Sequence, residues 1–90
     1  MKTLYKFLDL EEGKIVSAHD KSPWEIGIWR KTDGEVKCCN NGFHASKRIV
    51  DAHSYTQGVI LAKVEVRGEN HVDSDKEAWS EMRLVEVWEW

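Results

Sequence analysis

Cys38, Cys39, His44 and His53 carry the sulfur and imidazole ligands that zinc prefers, and two cysteines with two histidines would complete a four-coordinate ion. Their spacing argues otherwise. Zinc-binding cysteines are usually separated by two residues so that both sulfurs reach one ion, and here they are adjacent. One of the pair then reads as a small buried hydrophobe and the other as a residue of the opposite strand face. His44 sits in Gly42-Phe-His-Ala-Ser46, between a turn and a helix start. It could serve there as acid, base or ligand, or bond a loop carbonyl through one ring nitrogen and hold the turn. No nucleophile and orienting carboxylate can be assigned to it by spacing, so holding the turn is the simpler role. Asp73, Asp75 and Glu77 alternate as ligands of a hard cation would, but the glycine-bearing loop of a calcium site is missing and Ser74-Asp75 reads better as a helix cap. His19 and His71 fall in polar stretches and read as solvated. There is no phosphate loop, no Gly-x-Gly-x-x-Gly, no His-Glu-x-x-His and no serine elbow. Taken singly, the residues predict no metal, no cofactor and no catalytic set.

Charge and length narrow the classes further. Ninety residues with a net charge of −3 predict one domain spanning residues 1–90. Acidic and basic side chains are interspersed, so the chain lacks the basic stripe of a nucleic-acid backbone binder and the dense acidic surface of a DNA mimic. The longest apolar stretch, Gly58 to Ala62, is too short to cross a bilayer, and the N-terminus lacks the apolar core of a signal peptide. Adjacent cysteines seldom bridge one another, so free thiols and a cytoplasmic location are expected. A domain this small buries about 60 to 65% of its unfolded surface. The five tryptophans supply large apolar area for the core, or for a partner where they stay exposed.

The elements that must position these residues follow from the patterning. Leu4 to Leu10 and Lys14 to Ser17 flank a Glu12-Gly13 turn and predict a hairpin. Trp24 to Trp29 reads as a strand with Trp24, Ile26 and Ile28 on one face, and with a bulge or close backbone approach at Gly27. Asp33-Gly34 is a hairpin turn leading into Val36 to Cys38, and Asn40-Asn-Gly42 is a second turn. Ser46 caps a helix running to Tyr55, with Ile49, Val50, Ala52 and His53 as its apolar stripe and Gly58 as its stop. Val59 to Arg67 is a central strand, Gly68 to Asp75 a polar loop, and a short second helix runs through Trp79 and Met82. Arg83 to Trp90 is the last strand, with Leu84, Trp88 and Trp90 on one face and Val85 and Val87 on the other. The expected fold is α+β: a curled antiparallel or mixed sheet of about five to six strands, one main helix and a short second helix.

The stretch Cys39-Asn-Asn-Gly-Phe-His-Ala-Ser46, with Val64-Glu-Val-Arg-Gly68 and Trp79-Ser-Glu-Met-Arg83, resembles an uncharacterised domain family found in bacteriophage and prophage genomes. The resemblance runs from Tyr5 to Trp90 and implies a context, the cytoplasm of a host cell, without an activity. Some relatives continue past the Trp-Glu-Trp ending into a helical region, which implies a self-associating or partner-bound state for a chain that stops at Trp90. A more distant similarity is to small domains with an ADP-ribosyltransferase-like fold. It implies that His44 contacts a nicotinamide-dinucleotide-type ligand, with Glu65 or Glu86 as catalytic acid.

Three functions are therefore expected in turn. The first is a non-catalytic binding module that docks a host or phage protein, or a second copy of itself, through an aromatic surface at Trp29, Trp88 and Trp90; inhibition of host defence is one such role. The second is a nucleotide-binding or enzymatic domain centred on His44, with Tyr55 and the Arg67 to Asp75 segment around it. The third is a structural piece of a longer phage polypeptide.

Overall fold

The computed structural model describes residues 2–34, 36, 42–73 and 76–90. The chain opens with β1 (Lys2–Glu11), which turns through Glu12 and Gly13 into β2 (Lys14–Val16). Both turn residues have positive φ, 53° and 78°, the two-residue connection whose twist matches that of the strands it joins. The other edge of β1 pairs from Lys2 to Leu8 with β5 (Ile60–Asp73), and β5 pairs along its length with β6 (Lys76–Glu89). The far edge of β6 takes two short strands, β3 (Arg30–Lys31) opposite Met82 and Glu81, and β4 (Phe43–Ala45) opposite Trp79 to Glu77.

Beyond β4, Ser46 exchanges both backbone hydrogen bonds with Tyr5, at 2.7 and 2.9 Å. The sheet thus curls until its last edge meets its first strand. All strand ladders among the described residues are antiparallel, and a single parallel bridge joins Ile26 to Leu84.

Alternation along the strands divides the apolar residues between two faces. Leu4, Leu8, Ala62, Val64, Val66, Met82 and Leu84 point into the curl, where Trp24 and Ala45 join them. Phe7 and Leu61 point to the opposite face, where α1 (Ile49–Tyr55) covers them with Ala52. A register shift at Val85, between the pairs Lys63–Glu86 and Val64–Leu84, explains why the last strand showed apolar residues on both sides.

Several expectations are corrected. The short second helix is absent: Trp79 and Met82 lie in β6. A segment flanked by β5 on one edge and by β3 and β4 on the other gains backbone ladders on both sides, and this overrides its weak local helical signal. The polar loop from Gly68 is also strand as far as Asp73; the proposed cap at Ser74 or Asp75 lies outside the described residues. Trp24 to Trp29 is not a strand. Gly27 adopts φ +84° and donates its N–H to the Leu84 carbonyl at 2.8 Å, so the backbone approaches β6 only at a turn, leaving Ile26 and Ile28 exposed and Trp24 buried. Ser46 does not cap α1, because its backbone is committed to Tyr5; the N-cap is Arg48, with no side-chain bond. The helix ends at Thr56, before Gly58, and Gly58 serves another purpose: a Cβ there would run into the Leu8 carbonyl. The expected stripe is kept at Ala52, Ile49 and His53, while Val50 faces out. The return strand beyond Asp33-Gly34 lies mostly outside the described residues.

Candidate functional site

Closure of the curl is incomplete. Between the Tyr5–Ser46 bridge and the Asp9–Val16 pair, the outer edge of β1 has no strand partner among the described residues. A cleft of about 630 Å³ opens there, within the usual range for small-molecule sites. Its walls come from β1, the segment after β2, β3, β4, the end of α1 and the start of β6.

Lys6 lies between Leu4 and Leu8 on the inward face of β1, so the strand period itself sends an amine where its neighbours send leucines. Its Nζ donates to the His44 carbonyl at 2.8 Å. Burial, helped by the positive charge of Arg30 and opposed by Asp20, lowers its pKa from 10.5 to about 8.

Arg30, opposite Met82, also points inward. Its guanidinium carbon stands 4.5 Å from the Trp24 ring centre and 5.2 Å from that of Phe43, and it donates to Ser22 Oγ at 3.1 Å. The platform beneath it is itself braced. Trp24 and Phe43 meet edge to face at 5.5 Å, and Trp24 Nε1 donates to Ser17 Oγ at 2.7 Å. Ser22 donates its hydroxyl and its N–H to Asp20, at 2.7 and 3.0 Å, and these bonds hold the Asp20 carboxyl below its usual pKa. Neither Lys6 nor Arg30 makes an ion pair with any described residue.

His44, in β4 opposite Ala78, lines the same cleft. Burial first, then the charges of Lys6 and Lys76, lower its pKa, so at neutral pH less of its imidazole is charged than in an ordinary histidine. Tyr55 closes α1 with Lys76 Nζ 4.5 Å from its ring centre, and both reach the cleft wall. The lining thus sets Lys6, Arg30, Lys31 and Lys76 against the carboxylate of Asp20. Aromatic walls, a fixed guanidinium and a poorly solvated amine together suit a small anion with a planar or apolar body.

A family model for a domain of unknown function, DUF7666, matches residues 5–90. The chain belongs to this family. No curated protein and no solved structure matches it. The remaining site residues of this DUF7666 domain lie away from the cleft. Trp29 stacks on Arg67 at 3.9 Å and Arg83 at 4.9 Å, over an outer face where Arg67 bonds Glu81 and Arg83 bonds Glu65. Glu86 is exposed opposite Lys63. Neither Glu65 nor Glu86 lines the cavity that His44 lines.

Trp88, opposite Leu61, and Trp90, edge to face with Phe7 at 5.1 Å, share the helix-bearing end of the sheet and are 43% and 64% exposed. His53 packs on Phe7 at 5.0 Å. Cys38 and Cys39 lie outside the described residues, and among those described no group of three or more His, Cys, Asp and Glu is placed to hold a metal ion. Glu77 is buried, taking Lys2 at 2.7 Å and Trp79 Nε1 at 3.0 Å on one oxygen, whereas Asp73 is exposed. No helix is long and apolar enough to cross a membrane among the described residues.

Of the residues that the sequence singled out, His44 and Tyr55 line this cleft, whereas Lys6 and Arg30, which also line it, were not among them. Lys6 had a signal, a lysine in phase with Leu4 and Leu8 in a strand. Arg30 had none, because its direction depends on pairing with a strand fifty residues away.

Proposed function

We propose that the protein is a binding module whose cleft takes a small organic anion bearing a phosphate or carboxylate group. The observation that supports this is the meeting of Lys6 and Arg30 in one cavity, neither of them in an ion pair with a described residue. Holding two cations together in a partly desolvated space is unfavourable unless an anion joins them. Arg30 lies over the Trp24 and Phe43 rings and is tied to Ser22, so it has less side-chain entropy left to lose on binding. This is the ligand-binding alternative of the sequence reading, with its centre moved from His44 to Lys6 and Arg30. Calorimetry with pyrophosphate and with a nucleoside monophosphate tests it. Binding that weakens tenfold or more in Arg30→Gln and declines with salt supports the reading; no heat with either anion, or unchanged affinity in the variant, refutes it.

A second reading is favoured by the exposure of Trp88 and Trp90 on one end of the sheet. In it the module docks a host or phage protein there, inhibition of host defence being one such outcome. Trp29 is less suited, since Arg67 and Arg83 already occupy its ring. Partner capture retained by the folded Trp88→Ala, Trp90→Ala double variant would exclude this surface.

A further inference from the structure

The groups around Lys6 match what an amine needs in order to attack a carbonyl carbon. It must be reachable, poorly solvated, not paired directly with a carboxylate that would hold its proton, and close to an anchor that orients the carbonyl compound. Lys6 lies in the cleft wall and donates to a backbone carbonyl, an acceptor that tolerates a neutral amine as well as an ammonium. Arg30 supplies the anchor from the same cavity, and the lowered pKa of His44 favours its neutral form beside it.

We propose that the Lys6 amine condenses reversibly with the carbonyl carbon of a small anionic aldehyde or ketone seated in the cleft against Arg30. The nitrogen lone pair forms the new C–N bond, a proton moves from nitrogen to the former carbonyl oxygen, and that oxygen then leaves as water with both amine protons. The product is an imine, with no change of oxidation state. The lowered Lys6 pKa supports this, because about one-fifth of the amine is unprotonated at about pH 7.4, against about one in a thousand for an ordinary lysine. Desolvation beside a second cation is a recognised route to such an amine. The proposal rests on the anion-binding reading of the cleft and adds a covalent step to it.

The test treats the full chain at pH 7.5 with pyridoxal 5′-phosphate, a small phosphate-bearing aldehyde, traps imines with borohydride and maps the labelled lysines by peptide mass. Lys6 is expected to label at least tenfold more than the exposed Lys14 and Lys47, to be protected by pyrophosphate, and to label far less with pyridoxal, which lacks the phosphate. Lys6→Arg removes the label while leaving the exposed lysines as controls. Labelling of Lys6 no greater than that of Lys14, or indifferent to pyrophosphate, overturns the proposal. If calorimetry still finds pyrophosphate bound when Lys6 fails to label, the imine falls and the anion cleft stands; if neither is seen, both fall.

Discussion

Replacing Lys6 by Met removes a charge from the inner face of the curled sheet while keeping most of the side chain's volume. The fall of the Lys6 amine from 10.5 to about 8, at about 1.4 kcal/mol per pH unit, means that keeping the ammonium in the folded protein costs about 3 kcal/mol relative to the unfolded chain. Below pH 8 folded and unfolded chains both carry the proton, and the whole penalty is present. Between about 8 and 10.5 the unfolded chain binds more proton than the folded one, so wild-type stability rises with pH, and above that window the penalty is gone. The Met variant has no such dependence, but it loses the bond to the His44 carbonyl, worth about 1 kcal/mol. It should therefore exceed wild type by about 2 kcal/mol at pH 7 and fall below it by about 1 kcal/mol near pH 10.5. Urea unfolding followed by tryptophan fluorescence across this range gives the difference, in which the titration of other groups largely cancels. A difference that stays constant with pH would show that Lys6 is not desolvated, and would remove the physical basis of the cleft's pull on anions.

Three further outcomes are expected. His44 should titrate below its ordinary 6.5 in an NMR titration and move partway back in Lys6→Met, since burial is the larger cause and Lys6 the next; no movement would place Lys6 elsewhere. Because its folded pKa is the lower one, His44 lowers stability as pH falls through 6.5 toward the folded value, where the unfolded chain binds the extra proton. Gly58→Ala should destabilise by about 1 to 3 kcal/mol or more through collision with the Leu8 backbone; in Gly13→Ala, at φ +78° with open space around it, about 1 to 2 kcal/mol comes from backbone conformation alone. Unfolding midpoints for the pair check this, and a Gly58→Ala chain as stable as wild type would deny the close approach. Trp90→Ala should cost about 1 kcal/mol despite the residue's exposure, because the edge-to-face contact with Phe7 is lost; a neutral result would make Trp90 a free surface residue.

The parts of the fold that were legible in the sequence are those whose cause is local. The Glu12-Gly13 turn, the β-branched run from Val59 and the helix around Ala52 each carry their signal within a few residues. The stretch from Gly68 to Met82 was misread because its local composition is polar and capped like a helix start, whereas its strand character comes from ladders to β3, β4 and β5. The same holds at the candidate site. His44 stood out by residue type and Tyr55 by its place at the helix end, but nothing near Arg30 says that it faces Trp24 and Phe43 across the interior.

By itself the sequence determined the strand period that turns Lys6 inward with Leu4 and Leu8, the supply of tryptophans for a small core, and the interspersed charge along the chain. Only the tertiary structure decided that this inward amine meets Arg30, His44 and Lys76 in a single opening. That meeting requires β4 to pair with β6 and Ser46 to bond Tyr5 across some forty residues of chain, and pairing over such separations is selected by burial of the whole sheet, which no local run of residues encodes.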